Sequence, residues 1–166
     1  MILHLARHLR EEPQSVVAKA FTTREIGLPG DVPAWLTLRQ AATAELTPRP
    51  GPWSENDFRR EFSAQDWFRN ARMWVAEPVA MTESFQHGER VLAGSVTLAV
   101  RGSGDSAVGH IHWLLVHPDC RRMRLAATLM ANLERACWEA GIRRVVAETH
   151  ANWQAAVAFY RRLGYA

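Results

Sequence analysis

The chain's 166 residues, 48% hydrophobic and 22% charged with a net charge of +3, predict one soluble domain over residues 1–166 and exclude a disordered chain. Two cysteines, Cys120 and Cys137, exclude a disulfide framework and indicate a reducing, cytoplasmic environment. No apolar run reaches the length of a leader peptide or a membrane span, so no membrane partner is expected.

The first predicted elements are a short helix over residues 1–10 and a strand within residues 14–23, where Val16 begins an apolar run. A longer helix begins after Asp31 and ends before Pro48. Its apolar residues recur at helical spacing: Ala34, Leu38, Ala41, Ala42 and Leu46. The N-terminal region therefore predicts a strand between two helices.

Ser54 begins a further helix, because Asp57 three residues later can complete a capping box. The hydrophobic period then shortens to two residues, which indicates strands. Strands are predicted at residues 73–76, 91–100 and 108–116. A His87-Gly88 turn separates the first two of these strands. Three consecutive strands separated by turn residues predict an antiparallel meander.

The C-terminal third is the most regular part of the sequence. Pro118 ends the third strand of the meander, because proline cannot donate to a sheet. An apolar stripe then predicts a helix over residues 124–140, followed by a strand at 145–147 and a last helix that Asn152 caps. A strand, an arginine-rich loop and a helix start together predict a phosphate site, since the amides of the first helical turn are unpaired.

The loop before this helix carries three closely spaced arginines, Arg121, Arg122 and Arg124. The segment Val116-His117-Pro118, followed by Arg121-x-x-Arg124-x-Ala126, resembles the main motif of the GNAT superfamily of N-acetyltransferases. In that family the motif reads Val-x-Pro and then Gln/Arg-x-x-Gly-x-Gly/Ala. Arg124 stands where glycine is usual, and the other two anchor positions fit.

A second segment, in the predicted last helix, is similar to the family's Asn-x-x-Ala-x-x-x-Tyr-x-x-Leu-Gly-Phe. Here it reads Asn152, Ala156, Phe159-Tyr160 and Leu163-Gly164-Tyr165. Asn152 lies one residue further from Tyr160 than in the usual spacing. The resemblance covers about residues 90–165, and it implies a cofactor-binding core there.

The resemblance also implies the family's fold and its cofactor. The fold is of the α/β (α+β) type, with a mixed, mostly antiparallel central sheet flanked by helices and splayed between two central parallel strands. The family's usual final strand is expected to be missing. In that family acetyl-CoA lies in the splayed cleft. The matching positions here are expected to contact it: Leu114, Leu115, Val116, Arg121, Arg122, Met123, Arg124, Leu125, Ala126, Asn152 and Tyr160.

Direct transfer of an acetyl group to an amine needs an acid for the departing thiolate and a base for the incoming ammonium. Tyr160 matches the family's acid position, and a phenol is protonated at neutral pH. The base stays open among three residues: His110, His112 and Glu148. The two histidines share one strand face and suit a base near neutral pH, while Glu148 lies on the adjacent predicted strand.

These features predict an acetyl-CoA-dependent N-acetyltransferase whose acceptor is a primary amine on a small molecule or a peptide. A homodimer is compatible with them. The alternative is a non-catalytic acyl-CoA-binding or protein-interaction module with the same fold, which arginine in place of glycine at position 124 favours.

Two further kinds of site are not expected. A metal site is disfavoured because His117 alternates to the opposite strand face from His110 and His112. A nucleic-acid partner is disfavoured because the seven tryptophans are spread over the chain, as in a core or a pocket, and do not form a stacking platform. Three tryptophans are candidates for an acceptor pocket or for the core: Trp35, Trp53 and Trp67.

Overall fold

A computed structural model describes residues 1–80 and 90–166. Its strands are β1 Ile2–His8, β2 Phe21–Glu25, β3 Arg72–Pro78, β4 Gly94–Arg101, β5 Val108–Val116 and β6 Arg144–His150. They form one sheet in the order β1-β6-β5-β4-β3-β2. Neighbouring strands are antiparallel except β5 and β6, which are parallel. The mixed, mostly antiparallel sheet and the β3-β4-β5 meander are therefore confirmed.

Helices flank this sheet, and the start of α2 follows the local sequence. Their bounds are α1 Val32–Thr43, α2 Glu55–Glu61, α3 Leu125–Glu139 and α4 Gln154–Arg162. The predicted capping box is present, because the Ser54 hydroxyl accepts a hydrogen bond from the Asp57 N–H at 3.3 Å. The Asp57 carboxylate accepts the Ser54 N–H in return, at 2.7 Å. These two bonds pair donors that would otherwise be unsatisfied at the start of α2.

The predicted helix over residues 1–10 is wrong, because these residues form β1. Leu5 and Leu9 are both buried, and their spacing of four residues imitates a helical stripe. β1 instead pairs antiparallel with β6 along its whole length. A partner strand near the other end of the chain leaves no trace in the local hydrophobic period, so the sequence pattern alone misassigned this segment.

The strand predicted within residues 14–23 lies further along the chain than expected. β2 begins only at Phe21, and Val17 is exposed. β2 pairs with β3 at the edge of the sheet, so the position of its partner sets its bounds. The predicted His87-Gly88 turn lies outside the described residues.

The sheet packs against helices on both faces. Alternate residues of β3 show this, since Trp74 belongs to one buried cluster and Val75 to the other. The first cluster includes apolar residues of α3 and α4, such as Leu129 and Tyr160. The second includes apolar residues of α1 and α2, such as Trp35 and Phe58. The helices therefore hold the sheet from both sides.

The sheet opens between β5 and β6. Their parallel pairing ends at Ile111 opposite Ala147, although β5 continues to Val116 and β6 to His150. The expected splay between two central parallel strands is confirmed. It leaves the last residues of β5 without a neighbouring strand on one side, next to the loop that leads into α3.

The far side of β6 is occupied by β1, and the chain end joins β1 in turn. The N–H groups of Ala6 and Ala166 donate to each other's carbonyl oxygens at 2.8 and 3.0 Å. Buried Glu134 on α3 accepts hydrogen bonds from the Tyr165 hydroxyl at 2.8 Å and from Arg7 at 2.8 and 3.0 Å. These contacts tie the end of the chain to β1 and α3. Among the described helices, none is long and apolar enough to cross a bilayer.

Candidate active site

A cleft of about 960 Å³ lies where β5 leaves β6, between α3, α4 and the end of α1. Nearly all the expected cofactor contacts line it: Leu114, Leu115, Val116, Arg121, Arg122, Arg124, Leu125, Ala126, Asn152 and Tyr160. Met123 does not line it, and its side chain is exposed. The fold therefore brings two motifs that are distant in sequence to a single cavity.

A run of backbone N–H groups without partners lies beside this cleft. After the short 3₁₀ turn Pro118–Cys120, the N–H groups of residues 122–127 donate no hydrogen bond to any described residue. The first backbone bond of α3 runs from Thr128 N–H to the Arg124 carbonyl, at 3.0 Å. Such unpaired donors at the positive end of a helix dipole form an anion site.

Two residues in this run have a left-handed backbone. Arg122 has φ of +60° and Arg124 has φ of +64°. Alternation of left- and right-handed residues turns successive N–H groups toward one side, which makes a concave anion-binding surface. An arginine in this conformation costs about 1 kcal/mol relative to glycine, which explains why glycine suits position 124. Both guanidinium groups are exposed, and neither makes a hydrogen bond or ion pair within the described chain.

Arg121 differs from its two neighbours because its side chain is already engaged. Its guanidinium donates to Glu45 at 3.0 Å and to the Ala42 carbonyl at 3.2 Å. These bonds join the loop before α3 to the end of α1 at the rim of the cleft. Arg122 and Arg124 are therefore the arginines whose charge stays available to a ligand.

Tyr160 lies on α4 and lines the cleft, and only 6% of it is exposed. Its ring contacts Phe159 and Tyr165, and its hydroxyl forms no hydrogen bond within residues 1–80 and 90–166. Burial raises the pKa of Tyr160 well above its usual value of 10. The phenol therefore stays protonated at neutral pH and has a hydrogen bond left to donate.

His110 and His112 share one face of β5, as expected from the alternation. They stand opposite Ala99 and Thr97 of β4. The His112 ring stacks on Trp67, with ring centroids 5.0 Å apart and an angle of 19°. Burial, followed by the charge of Arg101, lowers the pKa of both histidines. Both imidazoles are therefore neutral at pH 7, the form that accepts a proton.

Glu148 lies apart from the cleft. None of the three base candidates, His110, His112 and Glu148, lines the cavity itself. The Glu148 side chain is 60% exposed, and its carboxylate lies 3.4 Å from the His4 imidazole on β1. The charge of Glu148 nevertheless opposes the lowering of the histidine pKa values, because Glu148 on β6 and the two histidines on β5 lie on the same face of the sheet. Among the described residues, no three His, Cys, Asp or Glu side chains come together as a metal site.

Asn152 lines the cleft but does not cap α4. The N-cap position is Trp153, and it makes no side-chain capping bond. The Asn152 N–H donates instead to the His150 imidazole at 3.1 Å. The predicted cap is therefore wrong by one residue. A turn in which the Trp153 N–H donates to the His150 carbonyl at 2.9 Å precedes α4, and the first backbone bond of α4 runs from the Val157 N–H to the Trp153 carbonyl at 3.0 Å.

Residues 35–165 match the model of the acetyltransferase (GNAT) family. The chain belongs to this family. It is 30% identical over 155 residues to the mycothiol acetyltransferase of Arthrobacter sp. (strain FB24), which covers 92% of this chain and 43% of that protein. It is 29% identical over 175 residues to the mycothiol acetyltransferase of Geodermatophilus obscurus, and this alignment covers 99% of this chain and 52% of that protein. The chain thus spans about half the length of the curated relatives it matches.

A solved structure shows the same fold. The GCN5-related N-acetyltransferase from Sphaerobacter thermophilus superposes with a TM-score of 0.69 at 17% identity, over 99% of this chain and 47% of that one. At this level of identity the likeness concerns the architecture alone. The GNAT fold inferred from two short motifs is therefore confirmed over the whole chain.

The sequence patterns missed two tryptophans of this GNAT chain that line the cleft, Trp113 and Trp153. Each directly follows a residue that the patterns singled out, but neither belongs to a motif. Trp153 donates its ring N–H to the Pro48 carbonyl at 3.2 Å, which joins α4 to the α1–α2 connection. Trp35 is fully buried, so it belongs to the core and not to an acceptor pocket.

Proposed function

We propose that this chain is an acetyl-CoA-dependent N-acetyltransferase that transfers an acetyl group directly to a primary amine. The observation that carries the proposal is the run of unpaired N–H groups at residues 122–127, at the rim of a cleft that the splayed sheet opens. Membership of the GNAT family supports the same chemistry. The reaction would take place in the cytoplasm, and a homodimer stays part of the proposal.

The residues present fit a diphosphate at the start of α3. Backbone donors without partners satisfy phosphate oxygens, and the exposed guanidinium groups of Arg122 and Arg124 can add charge-assisted hydrogen bonds. The free edge of β5, at Leu114, Leu115 and Val116, can pair with the amide groups of a pantetheine arm as a neighbouring strand would. Acetyl-CoA bound there supplies the thioester that the amine attacks.

Proton transfers are assigned to residues on both sides of the splay. Tyr160 stays protonated and donates to the departing sulfur, because its hydroxyl has no competing partner in the described chain. His112 is our first choice of base, since its burial keeps it neutral and it precedes Trp113 of the cleft wall. His110 and Glu148 lie on the same face of the sheet as His112 and stay as alternatives for the base.

The acceptor is proposed only as a class, a primary amine on a small molecule or a peptide. Two curated relatives are named mycothiol acetyltransferases, but this chain covers about half of each. Trp113, Trp153 and the end of α1 form the walls beside the reacting centre. An acceptor reaches it from the side of His112, across the face of β5 that Trp67 partly covers.

The test is release of free thiol from acetyl-CoA in the presence of a mixed panel of amines. We expect thiol release that depends on an amine and saturates with acetyl-CoA. Binding of coenzyme A without acetylation of any amine would support the non-catalytic module. Absence of both binding and thiol release would contradict the cofactor assignment itself.

A further inference from the structure

Arg39 on α1 is buried, with 3% of its surface exposed. Its Nη1 donates to the Gly51 carbonyl at 2.9 Å, but its Nε is buried without a hydrogen-bond partner. No ion pair within residues 1–80 and 90–166 includes it, and the carboxylates of Asp57 and Glu61 act on it only through space. Burial therefore lowers the pKa of Arg39 from its ordinary value.

Two tryptophan rings hold this guanidinium group. Its carbon lies 4.0 Å from the ring centroid of Trp53 and 4.6 Å from that of Trp113. The two rings also contact each other edge to face, with centroids 5.1 Å apart and an angle of 75°. Cation–π contacts strengthen when they are shielded from water, so Arg39 is a strong anchor for the Trp113 ring.

Trp113 occupies an irregular point of β5. Its φ of +48° lies in the left-handed region, which a bulky side chain rarely adopts. The pairing with β4 shifts here, because Thr97 faces His112 while Ser95 faces Leu115. Two residues of β5, Trp113 and Leu114, therefore stand opposite one residue of β4, which is a β-bulge. Both residues line the cleft.

No counter-ion in the described chain accounts for a cation at position 39. A buried charge without a counter-ion is unfavourable, and an apolar side chain of the same length would fill the space. A backbone conformation as rare as that of Trp113 persists only where its surroundings hold it in place. The Arg39 guanidinium and the Trp53 ring both contact the Trp113 ring, and Arg39 contacts both tryptophans.

We propose that Arg39 is a positioning residue. Its cation–π contact with the Trp113 ring maintains the bulge of β5, and this bulge directs the edge formed by Leu114, Leu115 and Val116 into the cleft. The proposal rests on the proposed function, since the bulge matters to the reaction only if acetyl-CoA lies along this edge. Arg39 itself does not line the cleft, so it acts through Trp113.

The first test compares Arg39→Met with Arg143→Met by calorimetric titration with coenzyme A. Arg143 is a matched control, because its guanidinium lies 3.6 Å from the Trp138 ring and donates to a backbone carbonyl at 2.8 Å, outside the cleft lining. We expect about tenfold weaker binding for Arg39→Met and unchanged binding for Arg143→Met. Arg39→Lys should recover part of the affinity, because it restores the charge but not the planar group.

Three outcomes decide this comparison. Wild-type affinity in Arg39→Met overturns the role of Arg39. An equal loss of affinity in Arg143→Met overturns it as well, because the effect would then be general destabilisation. Failure of the wild-type chain to bind coenzyme A is a different result, because it rejects the proposed function itself.

A second test uses the backbone of Trp113, and its comparison of glycine with alanine does not depend on the folding of the Arg39 variants. Glycine adopts a φ of +48° without strain, whereas alanine does not, and both lack the ring that Arg39 holds. We expect Trp113→Ala to weaken coenzyme A binding more than Trp113→Gly. Arg39→Met should have no further effect in the Trp113→Gly background. Equal affinities of the Gly and Ala variants, or additive effects in the double variant, would overturn the proposal.

Discussion

Arg124 shows how a single residue departs from a family motif and keeps its geometry. The position has a φ of +64°, a conformation in which arginine is strained and glycine is not. We predict that Arg124→Gly raises the free energy of unfolding by about 1 kcal/mol, measured by urea denaturation. The adjacent Met123→Gly is the control, since Met123 has no positive φ and glycine there should destabilise. A destabilised Arg124→Gly variant would contradict this reading of the loop.

Tyr160 and Tyr165 provide a contrast between the proposed acid and a structural tyrosine. We predict that Tyr160→Phe lowers turnover by about 10²-fold or more with coenzyme A affinity kept, because only a phenol can protonate the leaving sulfur. Tyr165→Phe should instead lower the thermal midpoint, since the Tyr165 hydroxyl donates to buried Glu134 at 2.8 Å. Steady-state kinetics and thermal unfolding separate the two effects. Unchanged turnover in Tyr160→Phe would remove it from the mechanism.

At the scale of elements, one buried carboxylate joins β2 to the start of α1. Asp31 is fully buried and accepts hydrogen bonds from Arg24 at 2.6 and 3.1 Å, from Arg90 at 2.9 Å and from the Gly27 N–H at 2.6 Å. The Arg24 hydrogen bonds, against the opposing effect of burial, lower the pKa of Asp31 from its ordinary 3.8 to about 2. The ionised form is therefore the one that the fold stabilises.

The sign of the resulting pH dependence follows from that depressed pKa. The contribution of Asp31, about 2 kcal/mol, is complete above about pH 4 and is lost as the pH falls toward 2. We predict that Asp31→Asn lowers the free energy of unfolding at pH 7 and reduces its decline between pH 4 and pH 2. Denaturant unfolding across that range is the measurement, and Asp105→Asn is the control, because Asp105 is exposed and its side chain makes no hydrogen bond or ion pair in the described chain. An acid decline as steep as that of the wild type would contradict the assignment.

The elements that the sequence predicted are those whose signals are local. The capping pair Ser54 and Asp57, the stop at Pro118 and the apolar stripe of α3 each depend on a few neighbouring residues, and all three are found. β1 was misassigned because its partner β6 is distant in sequence. The cap of α4 was misplaced because a turn between the His150 carbonyl and the Trp153 N–H precedes the helix, so that Trp153 and not Asn152 takes the N-cap position.

At the site, the sequence motifs predicted more of the cleft lining on the proposed cofactor side than on the proposed acceptor side. The N–H run at residues 122–127 follows from the order of strand, loop and helix, which a sequence records directly. The bulge at Trp113 and its anchor Arg39 depend on a contact between α1 and β5 that no spacing rule encodes. Arg39 also looks like an ordinary helix arginine in the sequence, since only the fold reveals its burial.

At the scale of the whole molecule, membership of the GNAT family and the splayed sheet favour the same cofactor. The parallel strands part at Ile111 and Ala147, and the run of unpaired N–H groups lies beside the opening, in residues most of which line the cleft. A ligand that combines a diphosphate with a strand-like amide arm matches both features at once. The described acceptor side does not combine two such features, so the acceptor is proposed only as the class of primary amines.

Calorimetric titration of the wild-type chain with coenzyme A and with pantetheine tests this central claim most directly. Pantetheine keeps the amide arm and lacks the diphosphate, so it cannot use the N–H groups of residues 122–127. Charge-assisted hydrogen bonds to a phosphate contribute about 1.5–3 kcal/mol each, so we predict at least about 10²-fold tighter binding of coenzyme A than of pantetheine. Equal affinities for the two ligands, or no binding of coenzyme A, would contradict the account.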